Sequence, residues 1–206
     1  MSLANEAGGS STARPSRSGS PPTWAWRPRP STISVYQAEI VPGLLQTERY
    51  ATVLHRAELM NATEEEIARH VAVRMERQAR LKQPDAPQLW VVLNEAVIRR
   101  VVGERAIMHE QLVKLAEAAS AANITLQVLP FSAGAHASMD SAFWIVGFDP
   151  PTDSEVVYLE HPTCSLYLEK PEEVARYRLA YEHLRAASLS FDESRRLIVR
   201  SAEDLS

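Results

Sequence analysis

The chain has 206 residues, of which 45% are hydrophobic and 23% are charged, so it can form one medium-sized domain with an apolar core. No run of about 18 apolar residues occurs, which argues against a membrane span. The polar, proline-broken N-terminus lacks the apolar stretch of a secretory signal. Its single cysteine, Cys164, can form neither an internal disulfide nor a cysteine-based metal site. We therefore expect a cytoplasmic protein with no membrane contact, no metal and no cofactor.

Glycine, proline and serine occupy 14 of the first 30 positions, a composition typical of a solvated coil. We predict a disordered tail over residues 1–31 and a single domain over 32–206. Two tail residues, Trp24 and Trp26, either dock on a partner or fold back onto the same chain. Four arginines and one glutamate give residues 1–32 a charge of +3, which leaves 33–206 at −7. Because phosphate contacts need clustered Lys and Arg, the acidic domain predicts no direct nucleic-acid binding.

Hydrophobic spacing and capping signals predict most elements. A first helix is expected over 44–56, after a turn at Pro42 and Gly43. Thr63 and Glu66 form a capping-box pattern for a second helix that ends before Pro84. The sequence then predicts a strand over 88–96, a short helix to 102 and a helix over 104–122 capped by Asn123.

The second half predicts a run of four strands and two closing helices. The strands are expected over 124–129, 142–148, 156–159 and 165–169, with a tight turn at 149–154. One helix begins near Pro171, and another begins at Ser190 with Glu193 in the capping-box position. This order is not the regular alternation of a doubly wound fold. We predict an α+β fold with a mostly antiparallel sheet of about five strands, packed with about six helices on one face.

No phosphate loop, dinucleotide fingerprint or nucleophile elbow occurs, and seven glycines are too few for a glycine-rich cofactor cradle. Four side chains at predicted strand ends are the candidate catalytic acids and bases: Glu95, Glu160, His136 and His161. Simpler roles are a loop histidine bonded to backbone and an ion pair from Glu95 to Arg77 or Arg74. Cys164 is expected to be a buried small hydrophobe, and four other histidines are expected at solvent-accessible helix positions: His55, His70, His109 and His183.

Six segments resemble the C-terminal domain of actinomycete helix-turn-helix regulators of the XRE type, which are often described as antitoxin-like. They are IVPGLLQTERYA (40–51), RMERQARL (74–81), NEAVIRRVVG (94–103), MHEQLVKL (108–115), ITLQVLPFSAGAH (124–136) and VVYLE (156–160). The resemblance covers about residues 33–203 and implies a domain of undefined molecular function. Such regulators normally carry an N-terminal helix-turn-helix domain and often occur with a small partner protein. Here residues 1–31 stand in that place, and they cannot build three helices.

The resemblance implies a polar signature that either lines a pocket or fixes the fold: Gln46, Arg77, Gln78, Glu95, Arg100, Gln111, His136 and Glu160. It favours a non-enzymatic regulatory or sensor module that binds a small molecule or a small partner protein. Such a module could also form a homodimer, or a heterodimer with a full-length regulator. The alternative is a cofactor-free cyclase or isomerase of specialised metabolism that uses the strand-end carboxylates and histidines.

Overall fold

A computed structural model describes residues 29–149, 155–161 and 164–206. Trp24, Trp26 and most of the predicted turn at 149–154 lie outside them. Within the described residues six α-helices pack on a six-stranded sheet. The strands are β1 (Pro30–Gln37), β2 (Gln88–Asn94), β3 (Ile124–Leu129), β4 (Phe143–Phe148), β5 (Val156–Glu160) and β6 (Ser165–Leu168). The helices are α1 (Glu48–Glu58), α2 (Glu64–Ala79), α3 (Glu95–Arg99), α4 (Arg105–Ala118), α5 (Pro171–Ala187) and α6 (Phe191–Glu203).

The sheet is mixed and has the strand order β3-β2-β1-β4-β5-β6. The pairs β1–β2 and β2–β3 are parallel, whereas the pairs β1–β4, β4–β5 and β5–β6 are antiparallel. The α+β class is confirmed. The expectation of a mostly antiparallel sheet of about five strands is only roughly right, because the sheet has six strands and two of its strand pairs are parallel.

The strand absent from the sequence prediction is β1, which lies at the centre of the sheet. It begins at Pro30, a position that suits the first residue of a strand. Ile33 and Val35 are buried with one helical layer, and Tyr36 is buried on the opposite face. Polar residues between them interrupt the apolar run, so the sequence of β1 does not have the continuous hydrophobicity expected of a central strand.

Helices cover both faces of the sheet, so the expectation that they pack on one face is wrong. On one face, β1, β2 and β3 share a core with α1, α3, α4 and α6. On the other face, α5 inserts Tyr181 and Leu184 against Phe143 and Ile145 of β4. α2 packs on α1, where Ile67 and Val71 lie against Ala51, and on the Gly43–Leu45 turn. Both faces of the central strands are therefore buried.

The helix termini follow local capping chemistry closely. Thr63 and Ser190 each form the predicted capping box, with Glu66 and Glu193 respectively. The first helix begins at Glu48 rather than at residue 44, because Gly43–Leu45 form a separate 3-10 turn and the Thr47 side chain caps α1.

Two further expectations about the ends of elements differ from the structure. α4 ends at Ala118, so Asn123 does not cap it. Instead the Asn123 side-chain amide donates to the backbone oxygens of Leu81 and Pro87, at 3.2 and 3.3 Å. Cys164, expected to be buried, is half-buried just before β6. Among the described residues, no helix is long and apolar enough to cross a membrane.

Candidate functional site

Gln46 lies at the centre of a buried polar network around the turn that links β1 to α1. Its side chain donates to the backbone oxygen of Val41 and accepts from Arg74 Nη1, both at 2.6 Å. From α2, the Gln78 amide nitrogen donates to the backbone oxygens of Gly43 and Gln46 at 2.7 and 2.8 Å. The glutamine side chains thus satisfy carbonyl groups of a turn that has no strand or helix to pair with.

Gln111 approaches the same turn from α4. Its Nε2 donates to the backbone oxygen of Leu45 at 2.8 Å, and its Oε1 accepts from the backbone nitrogen of Thr47 at 2.7 Å. Gln46 and Gln111 are both fully buried. Three of the predicted site residues, Gln46, Gln78 and Gln111, are therefore brought together, and their hydrogen bonds hold the turn between α2 and α4.

Two cations belong to this network. The Lys114 ammonium donates to the backbone oxygen of Gln46 and to Gln78 Oε1, both at 2.7 Å. Burial lowers the pKa of the Lys114 amine and that of the Arg74 guanidinium, and for Arg74 the carboxylates of Glu58 and Glu160 oppose the shift. In this network both cations donate to neutral carbonyl and amide oxygens, an arrangement that stabilises the fold.

His136 and Tyr36 meet at the edge of the sheet where β1 and β2 end. His136 Nδ1 accepts from the backbone nitrogen of Ser138, so its Nε2 carries the proton and donates to the Tyr36 hydroxyl at 3.3 Å. Burial lowers the pKa of His136 and raises the pKa of Tyr36. Because Tyr36 is fully buried, its hydroxyl anchors the 130–142 loop rather than facing solvent.

Glu95, at the start of α3, is occupied by local partners. Its Oε2 accepts from the backbone nitrogen of Phe131 at 2.9 Å, and its Oε1 accepts from Arg99 at 3.2 Å. The expected ion pair with Arg77 or Arg74 is wrong. Arg99 lies one turn further along the same helix and satisfies the carboxylate, while Arg74 turns toward Gln46.

The remaining predicted residues lie apart from one another. Glu160 and His161 are exposed at the end of β5. Two strands, β1 and β4, separate Glu160 from Glu95, a spacing of about 14 Å between the outer strands. Arg100 is exposed and pairs with Glu39 at 2.5 Å, and Arg77 is exposed on α2. The four candidate catalytic residues thus do not converge on one place.

The structure also contains a histidine pair that was not predicted from the sequence. The expectation that His55 is solvent-accessible is wrong: it is buried on α1, and its ring lies 5.4 Å from that of His70 on α2. The His55 Nδ1 is 3.5 Å from Glu58, whose pKa is lowered mainly by this contact. The two histidines are 15 positions apart, so only the antiparallel packing of α1 on α2 could reveal them. Among the described residues, no three metal-ligating side chains are grouped to hold an ion.

Two surface grooves, each between a pair of helices, are lined by none of these residues. One groove, of about 430 Å³, runs between α1 and α2 over Ile67, Val71 and Met75, with Glu48 and Glu64 on its rim. The other, of about 410 Å³, runs between α4 and α6. Both grooves thus lie between helices, and neither is lined by residues of the polar network.

A family model described as a domain of unknown function, DUF5753, matches residues 28–200. The chain belongs to the DUF5753 family. The DUF5753 match starts two residues before β1 and ends within α6, so it spans the whole sheet and all helices but the end of the last. Comparison with curated proteins and comparison with solved structures each gave no match. Membership of DUF5753 defines the domain without assigning it an activity.

Proposed function

We propose that this DUF5753 domain is a non-enzymatic regulatory module of the cytoplasm that binds a small partner protein in the groove between α1 and α2. The observation that carries the proposal is the groove itself, which has an apolar floor and a carboxylate at each end. The resemblance to antitoxin-like regulators, which often occur with a small partner, points in the same direction.

The hydrogen bonds made by the predicted polar residues also favour a binding role over a catalytic one. Gln46, Gln78 and Gln111 bond to the backbone of one turn, and Glu95 bonds to its own helix and to Phe131. A general acid or base must reach the proton it transfers. These side chains instead bond within the domain and stabilise the fold. The cyclase or isomerase alternative therefore lacks a set of catalytic residues that lie together.

The side chains that line the groove suit an amphipathic helix. Ala68 and Ala72 are exposed one turn apart on α2 and line the groove. Because they have no side chain beyond Cβ, a partner helix can approach α2 closely and place its apolar side chains near Ile67 and Val71. Helix-in-groove recognition of this kind uses apolar anchors at helical spacing. We expect the partner to present such a helix.

The rim charges indicate what flanks the apolar stripe of that helix. Glu48 begins α1 and Glu64 begins α2, so the antiparallel pair places one carboxylate at each end of the groove. Glu64 is bonded to Arg56 at 2.6 Å. A partner helix with Lys or Arg near both ends complements this rim, and such charges set orientation and association rate more than affinity.

The test is a titration of the full chain with each purified protein encoded beside its gene, followed by calorimetry. Ala72→Arg fills the groove, whereas Ala79→Arg places the same side chain at an exposed alanine on the last residue of α2, outside the groove. One neighbouring protein should bind the unmodified chain and the Ala79→Arg variant, and should bind Ala72→Arg at least about tenfold more weakly. Absence of any binding, or equal binding to both variants, would overturn the proposal.

A further inference from the structure

The groove between α4 and α6 has a different charge pattern from the one between α1 and α2. Its centre is apolar and small, formed by Val113 and Ala116 from α4 and by Val199 and Ala202 from α6. Val113 is 37% exposed. The two helices are antiparallel, because Arg105 at the start of α4 donates to the backbone oxygen of Asp204 just beyond the end of α6.

Four titratable side chains lie around this centre in a diagonal pattern. Arg195 and Glu117 lie at one end of the groove, and Glu203 and His109 lie at the other. Each end therefore has one basic and one acidic side chain, and each helix also has one of each. In both helices the basic and acidic residues are eight positions apart, a rise of about 12 Å.

This pattern is complementary to itself. Two copies that meet face to face with parallel or antiparallel helix axes can be related by a two-fold axis in the interface in two ways. If the axis is perpendicular to the helices, α6 lies against its own copy, Arg195 meets Glu203 and His109 meets Glu117. If the axis is parallel to the helices, α6 lies against the other copy's α4, so Arg195 meets Glu117 and His109 meets Glu203. In both arrangements Arg195 lies opposite one carboxylate, and His109 lies opposite the other as a hydrogen-bond donor.

We propose that the α4–α6 groove is a homodimer interface, and that its occupant is a second copy of this chain. The valines pack at the two-fold axis, and the small Ala116 and Ala202 let the helices of the two copies approach closely. The four corner side chains disfavour a wrong register, because a shift of one copy by the length of the pattern places carboxylate opposite carboxylate. This surface is separate from the α1–α2 groove, so the dimer leaves the proposed partner site open.

The first test measures the oligomeric state of the full chain by sedimentation equilibrium. The chain should dimerise with a dissociation constant in the micromolar range. Val113→Glu should raise that constant at least about tenfold, because it places a charge at the apolar centre. Val73→Glu is the matched control, since Val73 is 45% exposed on α2 and outside both grooves. An unmodified chain that stays monomeric at millimolar concentration, or equal effects of the two variants, would overturn the proposal.

Charge reversal tests the geometry independently of folding. Arg195→Glu should weaken the dimer, and a second reversal should restore it: Glu203→Arg if α6 faces its own copy, or Glu117→Arg if α6 faces α4. All three positions are exposed on the helices, and circular dichroism checks that the variants remain folded. Restoration by one of the two double variants supports the interface, and failure of both contradicts it.

Discussion

The side chain of Gln111 and the backbone of Thr47 are joined by a buried hydrogen bond of 2.7 Å across 64 positions of sequence. Thr47 is the N-cap of α1, and Gln111 lies in the middle of α4. The same amide group donates to Leu45, two residues earlier. One side chain thus fixes both the 3-10 turn and the start of α1. A substitution of Gln111 therefore tests whether this residue stabilises the fold or binds a ligand.

We predict that Gln111→Leu lowers the free energy of unfolding by about 2–4 kcal/mol, because it leaves a buried N–H and a buried C=O without partners. Urea denaturation measures the change. Gln83→Leu, the same substitution at an exposed position before β2, should change the free energy by less than about 0.5 kcal/mol. A loss below about 1 kcal/mol for Gln111→Leu would contradict the structural role of the network.

Gly147 and Thr32 face each other on β4 and β1. A Cβ at Gly147 would lie 2.3 Å from Thr32 Oγ1, so the glycine accommodates the threonine across the strand pair. We predict that Gly147→Ala destabilises the unmodified chain by about 1–2 kcal/mol, through the contact with Thr32.

The same substitution should have the opposite sign in a Thr32→Ala background. Without the hydroxyl, the new Cβ has space. Alanine also lowers the conformational entropy of the unfolded chain relative to glycine, which stabilises the folded chain by about 0.5–1 kcal/mol. Thermal or urea unfolding of the four proteins gives this double-mutant cycle. Equal effects of Gly147→Ala in the two backgrounds would show that the contact does not determine the choice of glycine.

The parts of the fold that follow from neighbouring residues were predictable, and the parts that depend on distant pairing were not. Each capping box joins two residues that are three positions apart, Thr63 with Glu66 and Ser190 with Glu193. The local sequence is therefore sufficient to predict it. β1 is central only because β2 and β4, from distant parts of the chain, pair with it on either side. The Ser and Thr residues that lie among its apolar residues do not reveal that both of its faces are covered.

The candidate site shows the same division. The resemblance to a known family picked out Gln46, Gln78 and Gln111 as a polar group, yet only tertiary structure shows that they bond to one turn. Glu95 directly follows β2 and Glu160 ends β5, but the strand order places β1 and β4 between them. His55 and His70 have no local pattern at all, and they meet because α1 and α2 fold back on each other.

His136 makes stability depend on pH in a definite direction. Burial holds the pKa of His136 in the folded chain below its ordinary value of 6.5. As pH falls through 6.5, the unfolded chain takes up the proton first, so the free energy of unfolding decreases until the pH is below the folded pKa. Stability from the neutral imidazole is therefore fully present above about pH 7 and is lost on acidification.

We predict that His136→Gln reduces the loss of unfolding free energy between about pH 7 and about pH 5.5, because glutamine does not titrate. Glutamine also keeps a donor for the Tyr36 hydroxyl, although the absolute stability at pH 7 falls with the altered contact. The quantity to compare is the slope of unfolding free energy against pH, measured by urea titration, with His183→Gln on the exposed side of α5 as the control for removing a histidine. Identical slopes for the unmodified chain and His136→Gln would mean that burial of the imidazole contributes nothing to acid sensitivity.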